Sequence, residues 1–400
     1  MQSVVVVGAG QAGASLVAKL RNLGYDGKIT LIGAEPVPPY QRPPLSKAYL
    51  LGEMALERLF LRPESFYADQ KVTLRLGAPV GSIDRIAQTV MLDDETLPYD
   101  ALVLTTGSHP RRLPDVIGGA LPGVHVVRDL ADVDAMGPEF VPGRRVVIVG
   151  GGYIGLEAAA VAAKKGLDVT VLEMAPRILQ RVAAPETSDA IRALHLEHGV
   201  SIREGVGLAR IEGANRVEGV TLSDGTSLAA DFVIAGIGIA PATELAEAAG
   251  LMLENGIMTD AQGRTSDPHI WAAGDCASFP WRGARLRLES VQNAIDQAEL
   301  VAENLLGAGR DYAPVPWFWS DQYDLKLQIA GLNTGYDHVV VRKADATSHW
   351  YFAGEKLLAV DALNDPRAFM VGKRLLEAGR SPDPALLSDP GTDLKTLLRA

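Results

Sequence analysis

The sequence predicts an α/β protein with two strand–turn–helix–strand units and a closing α+β segment. Three observations carry that expectation. An apolar run at Val4–Val7 leads into the glycine turn GAGQAG at 8–13, and about 140 residues later Arg145–Val149 leads into GGGYIG at 150–155. From Trp317 onward the texture changes to short alternating strands and one terminal helix. At 400 residues, with 47% apolar and 22% charged side chains, the chain is long enough for two to three globular domains.

Taken in order, Val4–Val7 is β-branched and reads as a buried strand. Leu16, Val17, Leu20 and Leu23 recur at helical spacing within Ala14–Leu23, and Gly24 stops that helix. Lys28–Ile32 is the second strand and runs into Gly33-Ala34-Glu35. The second unit repeats the order: the strand Arg145–Val149, an alanine-rich helix over Glu157–Lys165, and a strand over Val169–Leu172 ending at Glu173. Between the units lie a proline-rich loop, Pro36–Pro44, and a strand Ala101–Leu104 that ends in Thr105-Thr106-Gly107. A similar strand, Phe232–Ala235, ends in Gly236-Ile237-Gly238. The closing segment reads as strands Leu325–Ala330, His338–Arg342, Trp350–Phe352 and Leu357–Val360, then a helix with Asp365 as N-cap and Pro366 in its first turn.

Composition removes several function classes. Thirty-eight basic against 49 acidic residues leave a net charge of −11, which disfavours a broad basic surface for nucleic acid. No uncharged apolar run approaches the roughly 18 residues of a membrane span. The chain opens directly into its first strand without a leader pattern, so a cytoplasmic location is expected. A single cysteine, Cys276, excludes a disulfide framework, a CxxC redox pair and a cysteine-rich metal centre.

The glycine turns carry the chemistry. A dinucleotide pyrophosphate needs backbone N–H groups and a helix N-terminus with no side chain in the way. Gly8 permits the tight turn, Gly10 lets phosphates approach, and Gly13 lets helix and strand pack closely. Glu35, 22 residues past Gly13, is placed to accept ribose hydroxyls. Gly150, Gly152, Gly155 and Glu173 repeat the set, with the acidic residue 18 positions on. Two dinucleotides are expected, and two sites serving one hydride chemistry point to a flavin plus a nicotinamide.

Ile270-Trp271-Ala272-Ala273-Gly274-Asp275 resembles the second FAD fingerprint of the two-dinucleotide-domain flavoprotein reductases. With GAGQAG, Tyr40-Gln41-Arg42-Pro43-Pro44-Leu45-Ser46-Lys47, GGGYIGLE and Trp319-Ser320-Asp321-Gln322, the chain resembles one branch, the NADH-dependent ferredoxin reductases of bacterial oxygenase systems. The resemblance runs from Val4 to about Leu376. It implies two Rossmann-type domains, the FAD domain (1–108 and 236–314) interrupted by the NADH domain (109–235), and a C-terminal α+β domain (315–400) covering the flavin. It places Ala12, Glu35, Arg42, Lys47, Val80, Arg128, Asp275, Val291 and Trp319 around FAD, and Gly152, Ile154, Glu173 and Gly238 at the NADH site. The implied reaction is hydride transfer from NADH to FAD, then single-electron transfer to a 2Fe–2S ferredoxin in transient electrostatic contact. No nucleic acid, membrane or metal is expected, and the oligomeric state stays open. Rival readings are an NADH oxidase or quinone reductase, and an NADH-responsive flavoprotein like the relatives of apoptosis-inducing factor.

Three residues are candidates for a catalytic role: Lys47, Glu157 and Trp319. Glu157 follows Gly155 by two, on the expected first helical turn, and Lys47 comes from the proline-rich loop. A cation at the flavin's reactive edge stabilises the reduced ring, and a carboxylate would hold that cation. Glu173 favours the free ribose of NADH over a phosphorylated one, and Arg177 reads as a surface residue. Cys276 reads as a small buried side chain. Where disulfide reductases of this superfamily carry redox cysteines, this chain has Pro43, Pro44, Leu45 and Ser46, so electrons must leave the flavin directly. His195 and His198 read as surface residues of one helix face. The run Trp281-Arg282-Gly283-Ala284-Arg285-Leu286-Arg287, with Arg310, is the expected basic patch for an acidic ferredoxin.

Overall fold

The computed structural model describes residues 1–93 and 95–399. Its contacts separate two compact units. One comprises Met1–Gln41, Ala55–His109 and Ile239–Pro314; the other comprises Arg42–Met54, Pro110–Gly238 and Val315–Ala400.

The first unit is built on a five-stranded parallel sheet with Ser3–Val7 at its centre. Lys28–Ile32 and then Val72–Arg75 lie on one side, and Ala101–Leu104 and then Ile270–Ala272 on the other. These strands are apolar at nearly every position because the sheet is covered on both faces. One cover consists of the helices Gln11–Asn22 and Val291–Leu305, where Leu16, Val17 and Leu20 share a core with Ala298, Val301 and Ala302. The first of these helices starts three residues ahead of its apolar periodicity, because the glycine turn feeds straight into it.

The second unit repeats the plan around Arg145–Val149. Asp168–Glu173 and Ser201–Glu204 lie on one side, Phe232–Ala235 and Val124–His125 on the other, all parallel. It also holds an antiparallel sheet in the order Trp317–Gln322, Leu325–Gly331, Lys356–Leu363, Thr347–Ala353, His338–Lys343. The helix Pro366–Glu377 packs on that sheet and is capped by Asp365, whose carboxylate accepts the Ala368 N–H. Residues 315–400 and 110–238 therefore cluster as one unit, together with the loop 42–54. The packing shows why. Tyr153 and Phe318 rings meet at 5.0 Å, and Leu325 joins the core of Leu156, Ile178 and Ile191.

The strand Trp317–Gln322 is left without a structure by the sequence reading, as are the sheet strands Val72–Arg75 and Ser201–Glu204 and the helix Leu130–Met136. No helix among the described residues is long and apolar enough to cross a membrane.

Candidate active site

Both glycine turns fold into the same cradle. Gly8 has φ +117° and Gly150 φ +111°, a region that side chains rarely adopt, and a Cβ at either would overlap a backbone carbonyl, that of Thr105 or of Gly236. The third glycines, Gly13 and Gly155, pack against the carbonyls of the first. The middle ones, Gly10 and Gly152, face open space. Gly10 and Gly152 are also the N-caps of twelve-residue helices, Gln11–Asn22 and Tyr153–Lys164, and neither helix has a side-chain cap. Two helix N-termini thus present backbone N–H groups and the positive end of a dipole to an unobstructed space, which suits a pyrophosphate.

The acidic residue of each motif lies at its turn. Glu35 accepts the Tyr40 hydroxyl on Oε2 at 2.6 Å. Glu173 accepts the Gly151 N–H at 2.8 Å and the Ala175 N–H at 2.7 Å, so it braces the second cradle from inside. Arg177 is half-buried and donates to Ser188 Oγ at 2.5 Å. Arg177 stays part-exposed, and its guanidinium ties its loop to the start of the helix Pro185–Glu197.

In the first unit, Asp275 follows the positive-φ Gly274, where a Cβ would stand 3.1 Å from Ala12 Cβ. The Asp275 carboxylate accepts the Ser108 hydroxyl at 2.8 Å, and Gln297 Oε1 accepts the Gly274 N–H at 2.9 Å. The first cradle and the Gly274-Asp275 turn therefore adjoin, although 260 residues separate them in sequence. Val80 opens the strand Val80–Asp84 and Val291 opens the helix Val291–Leu305 of the same unit. Arg42, Lys47, Arg128, Ile154, Gly238 and Trp319 belong to the second unit. There Arg42 donates to the Arg128 carbonyl at 2.7 Å, Gly238 accepts the Arg111 N–H, and the Trp319 ring lies 5.7 Å from that of Trp317.

Lys47 and Glu157 meet. Lys47 Nζ lies 3.1 Å from Glu157 Oε1 and 3.6 Å from Asp321. Glu157 is the fifth residue of its helix, on the second turn and not the expected first, because the helix already begins at Tyr153. Its carboxylate points inward, and Glu157 is only 4% exposed. Its Oε1 also accepts the Ser320 hydroxyl at 2.7 Å, and its Oε2 accepts the Ser46 hydroxyl at 3.1 Å. Burial pushes the carboxyl pKa up, and Lys47 with the two serines pulls it back. Ser46, Ser320 and Asp321 were missing from the sequence reading as site residues. Their signal was available: each sits inside a quoted motif, next to or two residues from a named candidate.

Two further expectations need correction. His195 is fully buried, not on the surface, because the hairpin after Trp317 covers its helix face; His198 is exposed. Arg285 and Arg287 are not a free basic patch. Arg285 donates to the Thr259 carbonyl at 2.8 Å and faces Glu254. Arg287, its side chain 9% exposed, donates to the Asp275 carbonyl at 3.1 Å and pairs with Glu289 at 2.6 Å. Both curl back onto carbonyl oxygens, as long amphipathic side chains do when donors find no closer acceptor. Cys276 is buried, and burial raises its thiol pKa.

Two dinucleotide cradles and a buried cation–carboxylate pair define a dinucleotide-dependent oxidoreductase. Residues 2–298 match the family model described as pyridine nucleotide-disulphide oxidoreductase, and residues 317–398 match a reductase C-terminal model. The chain belongs to the pyridine nucleotide-disulphide oxidoreductase family. It is 45% identical to rhodocoxin reductase of Rhodococcus erythropolis, over 98% of this chain and 93% of that protein. It is 43% identical to putidaredoxin reductase CamA of Pseudomonas putida, over 100% and 97% respectively. Among solved structures, the covalent putidaredoxin reductase–putidaredoxin complex matches with a TM-score of 0.96 at 42% identity, covering 100% of this chain and 98% of that one.

Proposed function

We propose that this protein takes hydride from NADH onto FAD and passes single electrons to a 2Fe–2S ferredoxin, in the cytoplasm, as part of an oxygenase system. The Lys47–Glu157 pair carries the reading: its carboxylate is buried on the helix that leaves the second cradle and its cation comes from the loop 42–54, in a chain whose single cysteine is buried. Electrons that reach a flavin here have no thiol pair to enter. The similarity to rhodocoxin and putidaredoxin reductases supports the ferredoxin as acceptor.

The cradles fit two dinucleotides, the first with Gly8, Gly10, Gly13 and Glu35, the second with Gly150, Gly152, Gly155 and Glu173. FAD, when bound, supplies the conversion of a two-electron donor into a one-electron donor. The residues do the rest. Ala12, Val80, Arg128, Asp275 and Val291 would hold FAD, with Arg42 fixing the Arg128 backbone. Ile154 and Gly238 would line the NADH site. Lys47 would set a positive charge at the flavin ring, Glu157 would keep that charge in place, and Trp319 would shield the ring on the side where electrons leave. The domain division proposed is FAD at 1–108 and 236–314, NADH at 109–235, and a C-terminal domain at 315–400.

The test is acceptor choice. The yellow holoprotein should reduce a bacterial 2Fe–2S ferredoxin with NADH much faster than it consumes oxygen. Oxygen or quinone as the preferred acceptor would overturn the proposal in favour of an oxidase.

A further inference from the structure

We propose that Tyr323, His195, Gln322 and Ser320 are positioning residues that act through a one-way hydrogen-bond chain to hold the Glu157 carboxylate ionised and turned toward Lys47. The inference rests on the role given above to the Lys47–Glu157 pair, and it extends that site by about two residue layers.

The direction of every bond in the chain is fixed by its chemistry. Ser320 Oγ donates to Glu157 Oε1 at 2.7 Å, and Gln322 Nε2 donates to Ser320 Oγ at 3.1 Å. The other end of the Gln322 amide is therefore its carbonyl, an acceptor, and His195 Nε2 lies 2.8 Å from it. Nε2 must carry the proton. In the neutral ring Nδ1 is then an acceptor, and the Tyr323 hydroxyl stands 3.1 Å away to donate to it. Each group donates toward Glu157, so each polarises the next in the same sense.

The fold spends unusual residues on this chain. Ser320 and Gln322 are fully buried on one face of an edge strand, two residues apart, where apolar side chains would pack more simply. The buried face of the helix Pro185–Glu197 includes Thr187, Ser188 and His195. Tyr323, at the tip of the hairpin, has φ +55°, a strained region for an aromatic residue, and its ring stacks on His198 at 3.7 Å. The charged groups that face the chain are few. Among the described residues, Lys47 faces Glu157, Asp321 reaches the pair only through Lys47, and His198 neighbours His195. Burial pushes the His195 pKa down, which suits the neutral donor–acceptor form the chain needs.

A chain of this kind keeps a buried carboxylate charged without a second cation. Removing its last donor, Ser320, should raise the pH at which Glu157 protonates by about one unit, the differential effect of one hydrogen bond to a charged group, and cutting the chain further out should raise it by a fraction of that. A residue that merely fills space would not shift a titration.

The experiment is an infrared pH titration of the FAD-loaded protein, reading the protonated carboxylic C=O stretch that disappears in Glu157→Gln. In His195→Leu and in Gln322→Leu, which leave the Ser320 bond but remove its polarisation, the midpoint should rise by about 0.3 pH unit. His195→Gln retains an N–H donor and a carbonyl acceptor and should keep the wild-type midpoint. Should either leucine variant fail to fold, Ser320→Ala removes the bond to the carboxylate itself and should give the larger rise of about one unit. The acid limb of flavin reduction by NADH should move with the band. An unmoved midpoint in His195→Leu or Ser320→Ala would overturn the inference. Wild-type rates of flavin reduction in both Lys47→Met and Glu157→Gln would instead overturn the role given to the pair, while the infrared midpoints still report on the chain.

Discussion

Replacing Lys47 with Met separates what the buried pair does for stability from what it does for catalysis. At 3.1 Å and an effective dielectric of about 20, the gross attraction between Lys47 and Glu157 is about 5 kcal/mol. Removing one partner of a buried pair leaves the other charge uncompensated and costs about 3–5 kcal/mol. Lys47 retains 19% side-chain exposure, so the lower end applies, about 3 kcal/mol. The sign with pH follows from the carboxyl. Burial raises the Glu157 pKa and Lys47 opposes that rise, so in Lys47→Met the group protonates at a higher pH than in wild type. The neutral acid no longer suffers the buried-charge penalty. The loss should therefore be larger at high pH, where the orphaned carboxylate is charged, and shrink as pH falls and it protonates. Glu157→Leu added to Lys47→Met removes the orphan charge and should recover most of the thermal midpoint. Flavin reduction in stopped flow should stay slow in both variants, because the cation is gone from each. Thermal scans at two pH values and anaerobic NADH mixing check both halves. A double variant no more stable than the single one, or wild-type flavin reduction in Lys47→Met, would refute the reasoning.

Three further outcomes are expected. Glu173→Ala should narrow the preference for NADH over NADPH in kcat/KM, and should also loosen the second cradle, since Glu173 accepts two backbone N–H groups there; titrating both cofactors measures it. Arg287→Glu should lower ferredoxin reduction and NADH–ferricyanide turnover together, because Arg287 supports the Asp275 carbonyl and is not a docking charge. Asp361 is buried, accepts the Thr187 and Tyr351 hydroxyls, and burial raises its pKa to about 6. A carboxyl raised in the fold favours the native state at low pH, and that contribution is lost as pH climbs from about 4 to 6. Asp361→Asn should flatten thermal stability across that window, measured by calorimetry at several pH values.

Much of this protein was legible because its central strands are apolar throughout and its glycines are irreplaceable. Only glycine tolerates the φ of positions 8 and 150, so both cradles announce themselves, Glu35 and Glu173 follow 22 and 18 residues past their third glycines, and Asp275 closes a motif known by resemblance. Lys47 and Glu157 could be named from their motifs, but 110 residues apart in sequence their contact was not readable. The strand Trp317–Gln322 escaped because its aromatic and polar residues do not alternate as a core face normally does. His195 was misread for a related reason: the residues that bury it, Gln322 and Tyr323, come from a hairpin more than a hundred positions later. A run of arginines looks like a solvated face until its acceptors are seen, and for Arg285 and Arg287 these are carbonyls of distant turns.

The most direct measurement is anaerobic stopped-flow mixing of the holoprotein with NADH, followed by a 2Fe–2S ferredoxin in a second push. The proposed function predicts bleaching of a bound FAD by one equivalent of NADH, then its recovery as two equivalents of ferredoxin are reduced. A protein that binds no FAD, or whose reduced flavin persists in the presence of ferredoxin yet is discharged at once by oxygen, would contradict it.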